Sequence, residues 1–278
     1  MSYLEFEIPV RSWTRSEMEI VMAKMSRIGF EGFVETEEMV QAYIEKDVYS
    51  SDLLNEMLDE LSDLGLRVQY RFHETEDQNW NEEWEKKFEP VIIGDNVLIR
   101  APFHSSTADL EYTIIIEPKM SFGTGHHHTT RLMISEIMKH DLKDCRVLDM
   151  GCGTGILGIL ACKLQAGRVL GIDFDQWAYE NALENVLRND SGTMEVRLGN
   201  VSALGSEIFD FVFANITRNT LVSDIPEYYH HLEKGGILIV SGILAEDVQF
   251  VLNSAYLAGL THMNTNEESN WLSLSFVK

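Results

Sequence analysis

A glycine-rich turn between an apolar strand and a helix is the feature that most constrains the fold of this chain. The stretch RVLDMGCGTGILGI predicts a buried strand followed at once by Gly151, Gly153 and Gly155, with a helix beginning near Ile156. Glycine permits positive φ angles and lets a ligand approach the backbone closely. The free N–H groups at the start of a helix favour negative groups. We therefore expect a nucleotide-like ligand above this turn.

An acidic residue ends the next predicted strand, RVLGIDFD. Asp173 follows Gly151 by 22 residues, where a carboxylate can accept hydrogen bonds from both hydroxyls of a ribose. Nicotinamide-binding proteins also have such an acid, and GTGILG fits their GxGxxG pattern, which alone is a weak signal. Asp149 gives VLDMGCGTG the form DxGxGxG, which resembles the first motif of class I S-adenosylmethionine-dependent methyltransferases. A tight turn that binds no ligand is the remaining alternative.

The chain from residue 91 onward alternates short apolar runs with helical patterns. The apolar runs are nearly continuous, as in a parallel sheet covered on both faces; they are VLIRAPF, YTIIIEP, RVLDM, RVLGID, MEVRLGN, FDFVFANI and GILIVSGIL. We place helices at about residues 129–140, after Gly158, and around 177–189. This α/β pattern predicts a Rossmann-like, mostly parallel, doubly wound sheet in a domain of residues 91–278.

The first 76 residues follow the order βαββαβ. YLEFEIPV predicts a strand, SEMEIVMAKMSRIG a helix, FVETEEMVQAYIE a hairpin around Glu37 and Glu38, SSDLLNEMLDELSDLG a helix with a Ser cap, and LRVQYRFHE a strand. This order predicts a small α+β, ferredoxin-like domain of residues 1–76 with one open sheet face. Such a face is often used for binding.

A short aromatic helix is predicted between the two domains. Residues 77–90 place Trp80, Trp84 and Phe88 on one helical face, and Pro90 stops the pattern. We interpret this segment as a linker helix whose aromatic face docks onto a neighbouring domain.

The charge balance is strongly acidic. The 278 residues include 22 Lys and Arg against 45 Asp and Glu, a formal net charge of −23. Binding to a phosphate backbone needs clustered basic residues, so we expect no direct nucleic-acid partner. The balance favours a basic partner, although net charge also serves solubility alone. Residues 1–90, with 22 acidic and 9 basic residues, are the more acidic part.

Neither a membrane span nor a secretory signal is visible in the sequence. No apolar run of about 18 residues occurs, and the N-terminus lacks a basic region followed by an apolar core. We therefore expect a cytoplasmic protein without membrane association.

Asn215 closes the apolar run FDFVFANI and is expected at the carboxyl edge of the sheet, where open α/β folds bind ligands. Amino-group methyltransferases often have NPPY at this point, whereas this chain has NITR. The missing prolines and aromatic residue disfavour methylation of a planar amide or a nucleobase. They leave Asn215 free to orient an sp³ amine, or, alternatively, to cap the following segment.

These pieces together resemble one family. NWNEEWEKKFEP, SFGTGHHHTT, VLDMGCGTGILGI, GIDFD, ANI and GGILIVSGIL, in this order over residues 77–278, are similar to the bacterial methyltransferases of large-subunit ribosomal protein L11. The pattern SFGTGxHxTT is the most specific part. The chain departs from it with Ser121 where Ala is common, and with His126 and His128 where Thr and Pro are common. The first 76 residues match only in the predicted order of elements, which is that of the family's substrate-recognition domain.

The resemblance implies S-adenosyl-L-methionine as cofactor and assigns the site residues. Thr130 contacts the methyl donor, Gly151 and Asp173 cradle it, and Asn215 lies at the reacting end as the catalytic residue. The further cofactor contacts assigned are Phe122, Gly123, Gly153 and Asn200. No metal is expected, because three adjacent histidines point in different directions whereas metal ligands converge. Thr129 is a candidate helix cap.

The resemblance also implies an activity. It is the methylation, to the trimethyl state, of lysine ε-amines and the N-terminal α-amine of ribosomal protein L11, acting on the protein free of the ribosome and as a monomer. Three alternatives stay open at this point. They are a small-molecule amine or phenol methyltransferase with the N-terminal domain as a lid, a nicotinamide-dependent oxidoreductase, and a ribosome-assembly binding protein that keeps the donor-binding fold without turnover.

Overall fold

The computed structural model describes residues 3–10, 13–36, 38–75, 88–105, 110–119 and 121–278. They divide into two compact units, Met1–Phe88 and Glu89–Lys278. The predicted linker helix, with Trp80 and Trp84, lies outside the described residues except for residues 88–90, which have no regular structure. In the described part of the chain, no helix is long and apolar enough to cross a membrane.

The first unit has the predicted ferredoxin-like order. Its described elements are β1 (Tyr3–Pro9), α1 (Arg15–Arg27), β2 (Phe30–Glu35), β3 (Met39–Glu45), α2 (Ser51–Asp63) and β4 (Arg71–Thr75). The sheet order is β2-β3-β1-β4, and neighbouring strands are antiparallel. This is the topology of a split βαβ module, which confirms the sequence prediction.

Local signals explain where the two helices begin and what they bury. The Thr14 side chain accepts a hydrogen bond from the Glu17 N–H in a capping box at the start of α1. The predicted serine cap of α2 is Ser50, which accepts from the Leu53 N–H. Alternation along β1 turns Leu4 and Phe6 into the core beneath the helices.

The second unit is built on a mostly parallel sheet. Its strands are β8 (Arg146–Met150), β9 (Arg168–Asp173), β10 (Met194–Leu198), β11 (Phe209–Asn215), β12 (Leu232–Leu244), β13 (Thr261–Glu268) and β14 (Trp271–Val277). The order is β10-β9-β8-β11-β12-β14-β13, with β14 antiparallel to both of its neighbours. The predicted doubly wound α/β fold is confirmed, and the strand order reverses at β8, where such folds open a crevice for ligands.

Helices cover both faces of this sheet. They are α3 (His128–Ile137), α4 (Ile156–Lys163), α5 (Gln176–Arg188), α6 (Arg218–His231) and α7 (Val248–Ala258). Successive residues of each strand enter opposite cores: Val147 lies in one apolar cluster and Leu148 in the other. Burial on both faces is why the strands are nearly continuous in apolar residues.

Two of the predicted strands are not in the central sheet, so that part of the prediction is wrong. VLIR and YTII form β6 (Val97–Arg100) and β7 (Tyr112–Ile115), which make a separate small sheet with β5 (Val91–Ile93).

The far side of β7 binds side-chain amides instead of a strand. Asn189 Oδ1 accepts from Ile115 N–H at 2.8 Å, and Asn189 Nδ2 donates to Ile115 C=O at 2.6 Å. Asn185 Oδ1 accepts from Glu117 N–H at 2.8 Å.

Candidate active site

Three parallel strands end side by side at the crevice. Met150 pairs with Ile172 in β9 and with Ala214 in β11. The residues that follow these partners, Gly151, Asp173 and Asn215, are therefore neighbours at one edge. The structure thus brings together three of the residues that the sequence analysis assigned to the site.

The glycine turn of residues 151–155 has no room for side chains at two points. A Cβ atom on Gly151 would lie 2.3 Å from Cγ2 of Ile216, and one on Gly153 would lie 2.3 Å from the carbonyl oxygen of Phe122. Both glycines have positive φ, 67° and 55°. The turn is therefore wedged between the end of β11 and the segment of residues 121–130.

Residues 121–130, SFGTGHHHTT, lie against this turn and contact it at Thr154. Thr154 N–H donates to the Phe122 carbonyl at 2.9 Å, and the Thr154 hydroxyl donates to the Gly123 carbonyl at 2.6 Å. Gly123 has φ of 107°, and a Cβ atom there would lie 2.7 Å from Thr154 Oγ1. Phe122 and Gly123 thus lie beside the glycine turn.

The three histidines have separate partners. The His126 ring pairs through Nε2 with the Glu89 carbonyl at 3.0 Å, and the His128 ring pairs through Nδ1 with Glu268 at 3.0 Å. His127 Nδ1 accepts from Thr129 N–H at 3.2 Å, so His127 caps α3 and the candidate cap Thr129 is wrong. Thr129 instead lies fully buried within the first turn. Among the described residues no cluster of His, Cys, Asp or Glu could hold a metal ion.

The carboxylate of Asp173 is almost fully buried and tied to the turn. Oδ2 accepts from Gly153 N–H at 2.8 Å, and Oδ1 accepts from Asp175 N–H at 3.0 Å. Each carboxylate oxygen can accept more than one hydrogen bond, so both keep capacity for a ligand's hydroxyl groups. The next residue, Phe174, exposes 80% of its surface beside this acid.

Asp149 lies beneath the turn and does not face the crevice. It is 1% exposed, and its Oδ2 accepts from Gly158 N–H in the first turn of α4 at 2.9 Å. Burial raises the pKa of this carboxyl group to about 7, and the nearby charge of Asp173 adds to the rise. Its role is to hold the helix start that follows the glycines.

Three buried oxygen atoms at the site have no hydrogen-bond partner among the described residues. They are Asn215 Oδ1, Thr130 Oγ1 and Ser121 Oγ. A buried polar atom without a partner costs about 1–3 kcal/mol, so such a group points to a ligand that satisfies it. From the sequence, Ser121 is only a departure from the common Ala, and no role is predicted for it. These orphaned atoms, the glycine turn and the acid together fit the polar groups of a nucleoside-containing methyl donor.

Asn200 lies two residues after β10, whose last residue, Leu198, pairs with Asp173 in the neighbouring strand. Gly199 N–H donates to the Asp173 backbone carbonyl at 2.8 Å. The Asn200 side-chain oxygen accepts from Ser202 N–H at 3.0 Å and from the Ser202 hydroxyl at 2.7 Å. Its amide oxygen therefore caps a short 3₁₀ turn, Val201–Leu204.

Comparisons with known proteins identify the family of this chain. The family model described as ribosomal protein L11 methyltransferase (PrmA) matches residues 13–278. The chain is 40% identical to the ribosomal protein L11 methyltransferase of Phocaeicola vulgatus, over 100% of this chain and 99% of the relative. It is 43% identical to the protein of that name from Porphyromonas gingivalis, over 93% of this chain and 90% of the relative.

A solved structure is similar as well. The crystal structure of ribosomal protein L11 methylase from Lactobacillus delbrueckii subsp. bulgaricus is 25% identical and aligns with a TM-score of 0.63, over 68% of this chain and 97% of that chain. The sheet order with its switch at β8, the site edge and these matches lead to one conclusion. The chain is a methyltransferase with the class I fold and belongs to the ribosomal protein L11 methyltransferase family.

Proposed function

We propose that this protein transfers methyl groups from S-adenosylmethionine to ribosomal protein L11, on lysine ε-amines and the N-terminal α-amine, up to the trimethyl state. The observation that carries the proposal is the orphaned Asn215 Oδ1 beside Gly151, at the edge where Asp173 ends the neighbouring strand. In this proposal the enzyme acts in the cytoplasm, as a monomer, on L11 that is free of the ribosome.

The residues at this edge match the parts of the cofactor. Asp173 would accept hydrogen bonds from the ribose hydroxyls, and Gly151 and Gly153 would let the cofactor approach the backbone closely. The Thr130 hydroxyl, which has no partner in the protein, would hydrogen-bond to a polar group of the cofactor. Phe122 and Gly123, which contact the glycine turn at Thr154, would line the same cofactor site. When bound, the cofactor supplies a methyl group on a positively charged sulfur, which is already activated toward an amine.

The chain's own task is to prepare and aim the amine. A lysine amine has a pKa near 10.4, so less than about 1% of it is neutral at pH 7. A partly dry pocket with a positive charge nearby lowers the pKa of the acceptor amine and favours loss of its proton. Asn215 Oδ1 then accepts an N–H of the amine and directs the nitrogen lone pair. Positioning of this kind supplies most of the rate increase.

The substrate side of the proposal is supported by the open sheet face of the first unit. Side chains on β1 that point away from the helices include Glu5 and Glu7, and on β3 Tyr43 and Glu45 lie on the same face. Glu5 pairs directly with Tyr43 in the ladder. This face also carries Arg71 opposite Glu7 and His73 opposite Glu5. Glu5 is 9% exposed, so Glu7 and Glu45 are the carboxylates on this face that can meet a basic protein. We assign substrate recognition to residues 1–76, the linker to residues 77–90 and catalysis to residues 91–278.

The test is mass spectrometry of recombinant L11 after incubation with the enzyme and isotope-labelled S-adenosylmethionine. We expect gains of about 14 Da per methyl group on lysines and on the N-terminus. Asp173→Ala should lose donor binding and transfer together, whereas Asn215→Ala should keep donor binding and lose turnover by roughly a hundredfold. Glu227→Ala, which removes an exposed carboxylate on α6, is the matched control and should behave as the wild type.

Two outcomes would contradict the proposal. If donor binds but no label reaches L11, the substrate is wrong, and small amines become the acceptors to screen. If Asn215→Ala turns over at the wild-type rate, the orienting role of Asn215 is wrong.

A further inference from the structure

Three aromatic rings lie in contact beside the glycine turn, and the chemistry above does not use them as a group. The ring centroids of Phe122 and His127 are 5.2 Å apart with an angle of 61° between the planes. Those of His127 and Trp271 are 4.9 Å apart at 72°. We call Phe122, His127 and Trp271 the aromatic trio. Edge-to-face contacts of this kind fix the rings relative to one another.

The trio spans the site edge. At one end, the carbonyl of Phe122 accepts from Thr154 N–H in the glycine turn. At the other end, Trp271 begins β14. The carbonyl of the next residue, Leu272, accepts from the Ser241 hydroxyl at 2.7 Å. Ser241 lies directly opposite Asn215 in the β11–β12 ladder. The trio therefore runs along the same edge as the residue that aims the acceptor amine.

The rings present a neutral aromatic surface. The Phe122 side chain is 52% exposed, and the other two rings are partly exposed. Burial lowers the pKa of His127, and the charges of His128 and Arg131 lower it further, so the ring is neutral near pH 7. The nearby cation Arg131 is paired with Glu268, to which its Nε donates at 2.9 Å.

The successive products of the reaction demand such a surface. Each transfer replaces an N–H bond of the acceptor by an N–CH₃ bond, so the amine progressively loses hydrogen bonds to Asn215. Between transfers the methylated amine is a cation with an increasingly apolar shell. Aromatic faces attract such cations, and the attraction is stronger where water is excluded.

We propose that the aromatic trio binds the methylated ammonium group of the acceptor between transfers and so carries the reaction through to the trimethyl product. The inference rests on the proposed function. The amide of Asn215 binds the unmethylated amine, and the rings bind the amine once it is methylated.

A binding experiment tests the recognition without turnover. Calorimetry on the full chain compares N-acetyl-trimethyllysine amide with its neutral isostere, in which carbon replaces the charged nitrogen. The cation should bind at least about fivefold more tightly than the isostere. Trp271→Met, which keeps apolar volume without an aromatic face, should weaken binding of the cation by about fivefold to thirtyfold, and Trp271→Phe should restore most of it. Equal affinity of the wild type for cation and isostere would overturn the proposal.

A product experiment tests the consequence. With L11 as substrate, Trp271→Met should accumulate monomethyl and dimethyl forms, while Trp271→Phe recovers the trimethyl form. Phe250→Leu removes an exposed ring on α7, outside the trio, and is the matched control. An unchanged trimethyl fraction in Trp271→Met, with its melting temperature equal to that of the wild type, would refute the role. Should wild-type enzyme transfer nothing to L11, the proposed function fails, and the calorimetric comparison still decides whether the trio recognises methylated ammonium.

Discussion

Glu136 in α3 accepts a hydrogen bond of 2.8 Å from the Asn266 side chain in β13 and so joins a helix to the outermost strand of the central sheet. The carboxylate is 3% exposed. It also accepts from Lys139 at 2.6 Å, Asn264 at 3.0 Å and Ser275 at 3.1 Å. The Glu136 carboxylate thus accepts hydrogen bonds from β13, from β14 and from Lys139 just beyond the end of α3 at once. It therefore fixes α3, and the residues before it, against the edge of the sheet.

Replacing Glu136 should destabilise the protein in a pH-dependent way. Burial by itself would raise the pKa of Glu136, but hydrogen bonds from Lys139, Asn266 and Ser275 and the charge of Lys139 lower it to about 2. A lowered pKa stabilises the fold above the ordinary value of 4.5, by about 3 kcal/mol, and this contribution is lost as the pH falls from about 5 toward 2. Urea unfolding of Glu136→Gln should therefore show a large loss of stability at pH 7 that shrinks toward pH 3. A loss that stays constant with pH would contradict the argument.

Gly153→Ala should weaken donor binding strongly. A Cβ atom would lie 2.3 Å from the Phe122 carbonyl, and the backbone has φ of 55°, so residues 121–130 would be pushed off the turn. Calorimetric donor affinity should fall by at least about tenfold, since strain and displacement together cost more than about 1.4 kcal/mol. Gly192→Ala is the control, because nothing lies within 4 Å of a Cβ atom there. Wild-type affinity in Gly153→Ala would show that the turn does not approach the donor.

Two neighbouring threonines should respond in opposite ways. Thr130→Val removes an orphaned hydroxyl, so the donor-free protein should be as stable as the wild type or more stable, while donor affinity falls about threefold to tenfold. The Thr129 hydroxyl instead contacts His127 Nδ1 at 2.8 Å, so Thr129→Val should lower the melting temperature. Thermal melts with and without donor measure both. Loss of stability in Thr130→Val would mean that its hydroxyl is already satisfied.

Asp149→Asn should flatten the pH dependence of stability. Burial raises the pKa of Asp149 from 3.8 to about 7, so the folded state favours the protonated form. Stability is therefore lost as the pH rises from about 4 through 7, where the unfolded chain ionises freely and the folded chain does not. Asparagine keeps an oxygen for the Gly158 N–H and has no proton to lose. Unfolding free energies of wild type and variant at pH 5 and pH 8 give the comparison, and parallel changes in both would refute this role.

The local parts of the site are predictable from sequence, and the non-local parts are not. Strand, glycines and helix lie within one short stretch, so the start of α4 at Ile156 follows from propensity and pattern. The separation of β7 from the central sheet depends on Asn189, 74 residues away from Ile115, which no local pattern contains. Asn264 and Asn266 in β13 are polar because their side chains donate to Glu136. A hydropathy pattern does not predict this contact, because Glu136 is more than a hundred residues earlier in the chain. The cap by His127 depends on ring orientation, which residue type alone does not give.

The amides of Asn185 and Asn189 close the outer edge of β7 with side chains instead of a further strand. An unpaired strand edge is a template on which another chain can add, whereas this edge has its donors and acceptors already occupied at Ile115 and Glu117. Asn185 on α5 and Asn189 directly after its end therefore protect this edge against association between copies of this protein. Their loss would be felt first as poor solubility at high concentration, before any loss of catalysis.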